Sequence, residues 1–202
     1  MTIAIIDYRA GNLTSVQRAL AHLDCPSVIT DDYDTILSAD KVIFPGVGAA
    51  ASCMQALHDT GCARALRAVA AAQTPLLGIC VGMQLLFEHS EEDGGVDCLG
   101  LIPGRVRRFQ PPQASIKIPH MGWNPIDHDD DSLWTGIPKQ AAMYFVHSFY
   151  CEPAPDIQRI AEAEHGQRFC AGVRHGSIRA VQFHPEKSGP VGLQVLRNFI
   201  SE

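Results

Sequence analysis

The chain has 202 residues, with 16 Lys and Arg against 22 Asp and Glu, for a formal net charge of −6. That length suits a single domain over residues 1–202 with a full apolar core and no need of staples. The acidic balance, without any Lys/Arg block, argues against nucleic acid or an anionic membrane as the principal partner, and seven cysteines with no C-x-x-C pair and no N-terminal signal segment point to a reducing, cytoplasmic setting.

In chain order, residues 2–6 read as a strand, 12–23 as a helix capped by Asn12, and 26–30 and 41–44 as further strands. Helices are expected over about 50–57 and 62–72, followed by a strand over 75–79. The uncharged run 68–87 is long enough to cross a bilayer, but Pro75, Gly78, Gly82, Gln73 and Gln84 divide it into a helix end, a buried strand and a helix start. No membrane-spanning segment is predicted. This alternation is that of a doubly wound α/β domain with a mostly parallel sheet, whose ligands belong at the carboxyl ends of the strands. The second half carries shorter strand-like runs near 104–109, 143–146, 159–164, 169–173 and 178–183, which predict a smaller antiparallel part, and a closing helix over 191–200. Polar or proline-bearing loops at 88–95, 111–114 and 127–131 are expected to be mobile. No repeat or interdomain linker is evident.

Three segments carry chemistry. Gly78-Ile79-Cys80-Val81-Gly82 sets a cysteine between glycines, directly after an apolar strand and before a helix start. A strand that reverses sharply into a helix strains the residue at the turn, and flanking glycines let neighbouring backbone pass close by. The helix N-terminus then favours thiolate at the exposed sulfur. Far along the chain, His184-Pro185-Glu186 ends the 178–183 strand. A histidine there can take a thiol proton, and a carboxylate two residues on can fix the ring's tautomer. Pro45-Gly46-Val47-Gly48 follows the 41–44 strand, and its backbone amides can point at an oxyanion. Taken singly, each has an ordinary reading: a small core cysteine, a surface His-Pro turn, a β-α turn. Together they place a nucleophile, a base and a donor loop at strand ends.

These motifs, from Gly78 to Gln84, from Pro45 to Gly48 and from His184 to Glu186, resemble those of the class I, triad-bearing glutamine amidotransferases. Asp7-Tyr8-Arg9-Ala10-Gly11-Asn12-Leu13, Pro119-His120-Met121-Gly122-Trp123-Asn124 and Tyr144-Phe145-Val146-His147-Ser148-Phe149 narrow the resemblance to the glutaminase subunits of imidazole glycerol phosphate synthases, over residues 3–200. The chain departs from that pattern at Arg9, where glycine is usual and a glycine-only backbone angle therefore cannot be required. It departs also at Val81, where leucine is commonest, and at Ala49-Ala50-Ala51, where an aromatic is common. None of these touches the trio of Cys80, His184 and Glu186.

The resemblance implies glutamine hydrolysis through a cysteinyl thioester: Cys80 as nucleophile, His184 as base and acid, Glu186 orienting the imidazole. The oxyanion would be held by the amides of Val47 and Val81 in a loop shaped by Gly46 and Gly48. Gln84 would help bind glutamine, and backbone around His147 and Ser148 would receive its α-amino-acid end, although Gln84 could equally be a helix-surface residue. The implied partner is a (β/α)8-barrel cyclase receiving ammonia through an internal passage, in a heterodimer, with Trp123, Tyr144 and Lys187 at or near the contact. Trp123 could instead be ordinary core. No metal or cofactor is expected, because no spacing sets four ligands about zinc. The other six cysteines read as small core or surface residues, and His120 and His147 as buried, satisfied histidines or secondary site candidates. Competing readings are a subunit serving chorismate, guanylate or carbamoyl phosphate chemistry, a γ-glutamyl hydrolase or cysteine peptidase using the same triad, and a non-enzymatic binding module. Met83 before the elbow's glutamine and Lys187 after the glutamate separate this chain from the first group, whose members usually carry histidine and serine there.

Overall fold

The computed structural model describes residues 1–10, 12–110 and 115–202. Its first half runs β1 (Ile3–Ile6), α1 (Leu13–His22), β2 (Ser27–Thr30), α2 (Tyr33–Ser38), β3 (Lys41–Gly46), α3 (Ala50–Asp59), α4 (Cys62–Ala71), β4 (Leu76–Cys80) and α5 (Val81–Leu85). The second half runs β5 (His89–Ser90), β6 (Val96–Asp97), β7 (Gly104–Arg108), β8 (His120–Pro125), β9 (Asp127–His128), β10 (Ala142–His147), β11 (Phe149–Pro153), β12 (Gln158–Glu164), β13 (Arg168–His175), β14 (Ile178–Val181) and α6 (Gly189–Ser201).

Strands β2, β1, β3, β4 and β14 lie side by side in that order, all parallel. All four residues of β1, Ile-Ala-Ile-Ile, are fully buried, because helices cover both faces of a parallel sheet and the strand must read as an unbroken apolar run. Each such isoleucine contributes about 1.5–3 kcal/mol by leaving water. Beyond β14 the sheet turns antiparallel through β13, β11 and β7, with β12 pairing β13 and β9 on a side branch. β8 and β10 form a separate antiparallel pair, Tyr144 opposite Trp123. Among the described residues no helix is long and apolar enough to cross a membrane.

Several details depart from the sequence-based expectations. Asn12 stands at the start of α1, but its side chain makes no capping hydrogen bond; its φ of −93° and ψ of 60° depart from the extended geometry that aims a capping side chain at the next amides. Helix α2 was not expected: it is short, buries only Ile36, and starts where the Asp32 carboxylate accepts from the Thr35 amide at 2.8 Å. Strand β8 also escapes a hydrophobic-period reading, because its apolar Met121 and Trp123 face outward while His120 is buried. The 88–95 loop holds β5 and a 3-10 turn at Glu92–Gly94, and the 127–131 loop holds β9. Residues 111–114 and Gly11 lie outside the described residues. Arg9 has φ +63°, so the left-handed angle is present there after all; an unbranched side chain tolerates it at modest strain, and the Arg9 amide donates to Asp7 Oδ1 at 3.0 Å.

Candidate active site

The topology explains why distant residues meet. β4 lies between β3 and β14, with Cys80 in register with Gly46 and Ile79 with Val181. The chain leaving each strand's carboxyl end therefore reaches one rim, where Val47, Gly48, Cys80, Val81 and His184 line a pocket of about 290 Å³.

Cys80 has φ 56° and ψ −113°. Holding a residue with a Cβ in such a region costs about 1–3 kcal/mol, and the turn directs the sulfur out of the strand. The elbow can form because α5 packs against the end of β3: a Cβ on Gly82 would lie 1.9 Å from the Phe44 carbonyl oxygen. Gly48 adopts φ +111°, so the loop's turn does require glycine there, whereas Gly46 matters for space: a Cβ would come within 2.7 Å of the Gly82 nitrogen and the Tyr8 hydroxyl. Gly46 accordingly lies behind the loop, in a small recess shared with Asn12 and Glu186, and does not line the main pocket. α5, the helix after Cys80, spans only Val81–Leu85, so the partial positive charge at its N-terminus is small.

On the same rim as Cys80 lies an imidazole–carboxylate pair. His184 Nδ1 and Glu186 Oε1 are 2.9 Å apart, both side chains only 2% exposed. Burial pulls the imidazolium down, but the Cys80 and Glu186 side chains outweigh it, and the pKa of His184 is raised to about 9. With Nδ1 on the carboxylate, Nε2 is left without an aligned hydrogen-bond partner and is the nitrogen available to the sulfur. The Cys80 thiol meanwhile lies 4.0 Å from the Val146 carbonyl. The His184 backbone is pinned as well: its amide donates to Tyr144 O at 2.9 Å, and Ser188 Oγ donates to its carbonyl at 2.6 Å while accepting from the Tyr144 amide at 2.9 Å.

Gln84, His147 and Ser148 all line the same pocket. Gln84 is 3% exposed, so it is not a helix-surface residue. Its Nε2 donates to Phe149 O and to Gln182 Oε1, both at 3.0 Å, leaving Oε1 as the acceptor. Trp123, 60% exposed, is not core; its ring lies 6.0 Å from that of Tyr144, beside Met121 at 64% exposure, and Lys187 is exposed on the turn after His184. None of Met121, Trp123, Tyr144 and Lys187 lines the pocket.

Glu92, Gln182 and Cys53 were not singled out as site residues. Glu92 reaches the pocket while its Oε2 accepts from the Ala50 amide at 2.9 Å, capping α3 from a distant loop where the methyl of Ala49 offers no acceptor. Nothing local in the sequence signals that. Cys53 donates to Val47 O at 3.5 Å, touching the donor loop from behind. Gln182 could have been found: it is a glutamine in the apolar 178–183 run, two residues before His184, where a buried polar side chain calls for a reason. All seven cysteines are free and buried, and among the described residues no group of three or more His, Cys, Asp or Glu could hold a metal ion.

The glutamine amidotransferase class-I family matches residues 4–202. The chain is 48% identical over 208 residues to the imidazole glycerol phosphate synthase subunit HisH of Methylococcus capsulatus, covering 98% of this chain and 95% of that one. It is also 48% identical to the same subunit of Pseudomonas putida, covering 99% and 97%. Among solved structures, the fold is shared with a glutamine amidotransferase at TM-score 0.77 and 16% identity, covering 98% of this chain and 97% of that one. It is shared too with PurLQS from Thermotoga maritima at TM-score 0.74 and 18% identity, covering 99% and 97%.

Proposed function

Since the chain belongs to the class-I glutamine amidotransferase family, we propose that it hydrolyses the side-chain amide of glutamine and delivers the ammonia to a cyclase subunit making imidazole glycerol phosphate in histidine biosynthesis. One observation carries the reading: a strained Cys80 on the pocket wall, with the buried His184–Glu186 pair on the same rim.

Cys80 Sγ attacks the carboxamide carbon after His184 Nε2 takes the thiol proton, and Glu186 holds the resulting imidazolium. The raised pKa of His184 suits this step, because the imidazolium persists at neutral pH and can return its proton to the leaving nitrogen. Ammonia, not an amide anion, departs. The oxyanion is held by the amides of Val47 and Val81, each donor worth roughly 100-fold to 1000-fold in rate. Water activated by His184 then cleaves the thioester to glutamate. Gln84, with both amide hydrogens committed, meets the substrate through Oε1 and so recognises a donor group. Backbone at His147 and Ser148 receives the α-amino-acid end, and the Glu92 carboxylate in the wall suits its ammonium.

The chain works as one domain in a heterodimer with a (β/α)8-barrel cyclase. The exposed Trp123 and Met121 beside Tyr144 and Lys187 offer the aromatic anchor and apolar area that such contacts favour. Free, buried cysteines suit the cytoplasm. The test is ammonia release: the purified chain alone turns glutamine over slowly, and adding the cyclase with its bound nucleotide ligand raises the rate. Vigorous glutaminase activity without any partner would contradict the coupled function.

A further inference from the structure

A chain of hydrogen bonds runs from the outward-facing strand β8 to the sulfur of Cys80 without using His184 or Glu186. Asn124 Nδ2 lies 3.1 Å from His120 Nε2, His120 Nδ1 lies 2.8 Å from His147 Nε2, and His147 Nδ1 lies 2.8 Å from Phe149 O. Phe149 O also accepts from Gln84 Nε2, which donates to Gln182 Oε1, and Gln182 Nε2 lies 3.9 Å from Cys80 Sγ.

The Phe149 carbonyl, which can only accept, fixes the direction of every bond. His147 must carry its proton on Nδ1, so its Nε2 accepts and His120 donates from Nδ1. His120 Nε2 then accepts from Asn124, whose Nδ2 also donates to Glu164 O at 2.8 Å. On the other side, Gln84 must turn its nitrogen to the carbonyl. Gln182 must then offer its oxygen to Gln84, which leaves its N–H facing the sulfur. One set of tautomers and amide orientations satisfies the whole chain. Burial keeps both rings neutral, lowering His120 to about 4 and His147 to about 3, as the pattern needs.

We propose that Gln182 is a further catalytic residue, donating an N–H to the Cys80 sulfur, with its orientation set by the Phe149 carbonyl through Gln84. Gln182 is fully buried, and a buried polar side chain is retained where its hydrogen bonds have a purpose. A donor to the anion stabilises the thiolate that attacks, and hydrogen bonds to charged groups are the stronger kind. The inference rests on Cys80 being the nucleophile.

The test is the rate of iodoacetamide alkylation of Cys80 at pH 7, site-resolved by mass spectrometry, alongside thermal unfolding. Gln182→Glu keeps the shape and the bond from Gln84 but turns an oxygen to the sulfur, and is expected to slow alkylation about tenfold or more. Gln182→Met serves the same purpose if the first variant does not fold. An unchanged alkylation rate in either folded variant overturns the proposal. A wild-type chain in which Cys80 is not the fastest cysteine would instead sink the nucleophile assignment itself.

Discussion

The parallel and antiparallel halves build their shares of the pocket in different ways. In the parallel half, the central strands β1, β3 and β4 are buried along their whole length and almost wholly apolar, and the pocket's chemistry appears where strands end: the Val47–Gly48 loop, Cys80, and His184 just past β14. Backbone geometry sets the reactivity there, through a left-handed cysteine and a glycine that lets α5 touch β3. In the antiparallel half, polar side chains sit inside the structure, with His120 and His147 bonded to each other among Phe145 and Phe169, and apolar ones face outward at Met121 and Trp123. Under the proposed function, one half supplies reactivity by strain, the other recognition by a directional polar network and an exposed face. β14 is the seam, parallel to β4 and antiparallel to β13, so the base stands where the two meet.

The sharpest way to break this contrast is at the strained residue. Cys80→Ala is expected to lower glutamine hydrolysis by about 1000-fold or more, read as ammonia release in the complex. Cys80→Gly should be equally inactive yet more stable than Cys80→Ala by about 1 kcal/mol in urea unfolding, since both lose the sulfur and only alanine keeps a Cβ at the left-handed angle. Equal stability of the two would remove the strain from the account.

Glu186→Gln probes the seam. The expected fall in kcat is about 100-fold, with the alkaline limb of the rate profile moved to lower pH, because the carboxylate that helps raise His184 to about 9 is gone. A histidine whose folded pKa is raised contributes stability that is fully present below its unfolded value near 6.5 and is lost as pH climbs through about 9. The wild-type chain should therefore lose stability between pH 6.5 and 9 more steeply than Glu186→Gln. Parallel curves would contradict the pairing.

In the antiparallel half, Trp123→Ala should weaken cyclase affinity by about 30-fold in a binding titration and leave the unfolding free energy within about 0.5 kcal/mol. A large loss of stability would make Trp123 a packing residue. The smallest effect is expected back in the parallel half: Asn12→Ala should cost under about 0.5 kcal/mol, against the ~1 kcal/mol of a working N-cap, because no capping bond is made.

The same contrast decides what could be read from the sequence. The parallel core was legible because strands covered on both faces must be continuous apolar runs, and because Gly82 and Gly48 announce close approach and a left-handed turn. The trio was legible because nucleophile, base and orienting carboxylate each end a strand or follow it directly. Strand β8 was not, since its apolar Met121 and Trp123 face solvent while His120 is buried and Asn124 half-buried, inverting the period that marks a half-buried strand. The tertiary capping of α3 by Glu92 leaves no local pattern, and the assumed Asn12 cap failed because a residue type suited to capping fixes no backbone angle. Gln182 was visible in the sequence, yet its partners Gln84 and Cys80 lie about a hundred residues away, and only the parallel pairing of β14 with β4 brings them together.

The central claim is that Cys80 is the nucleophile that meets glutamine. Its most direct test is to treat the complex with a glutamine-analogue electrophile and map the adduct by mass spectrometry, with and without competing glutamine. The account predicts one adduct, on Cys80, suppressed by glutamine. Labelling at Cys53 or any other cysteine in its place, or labelling that glutamine does not suppress, would contradict it.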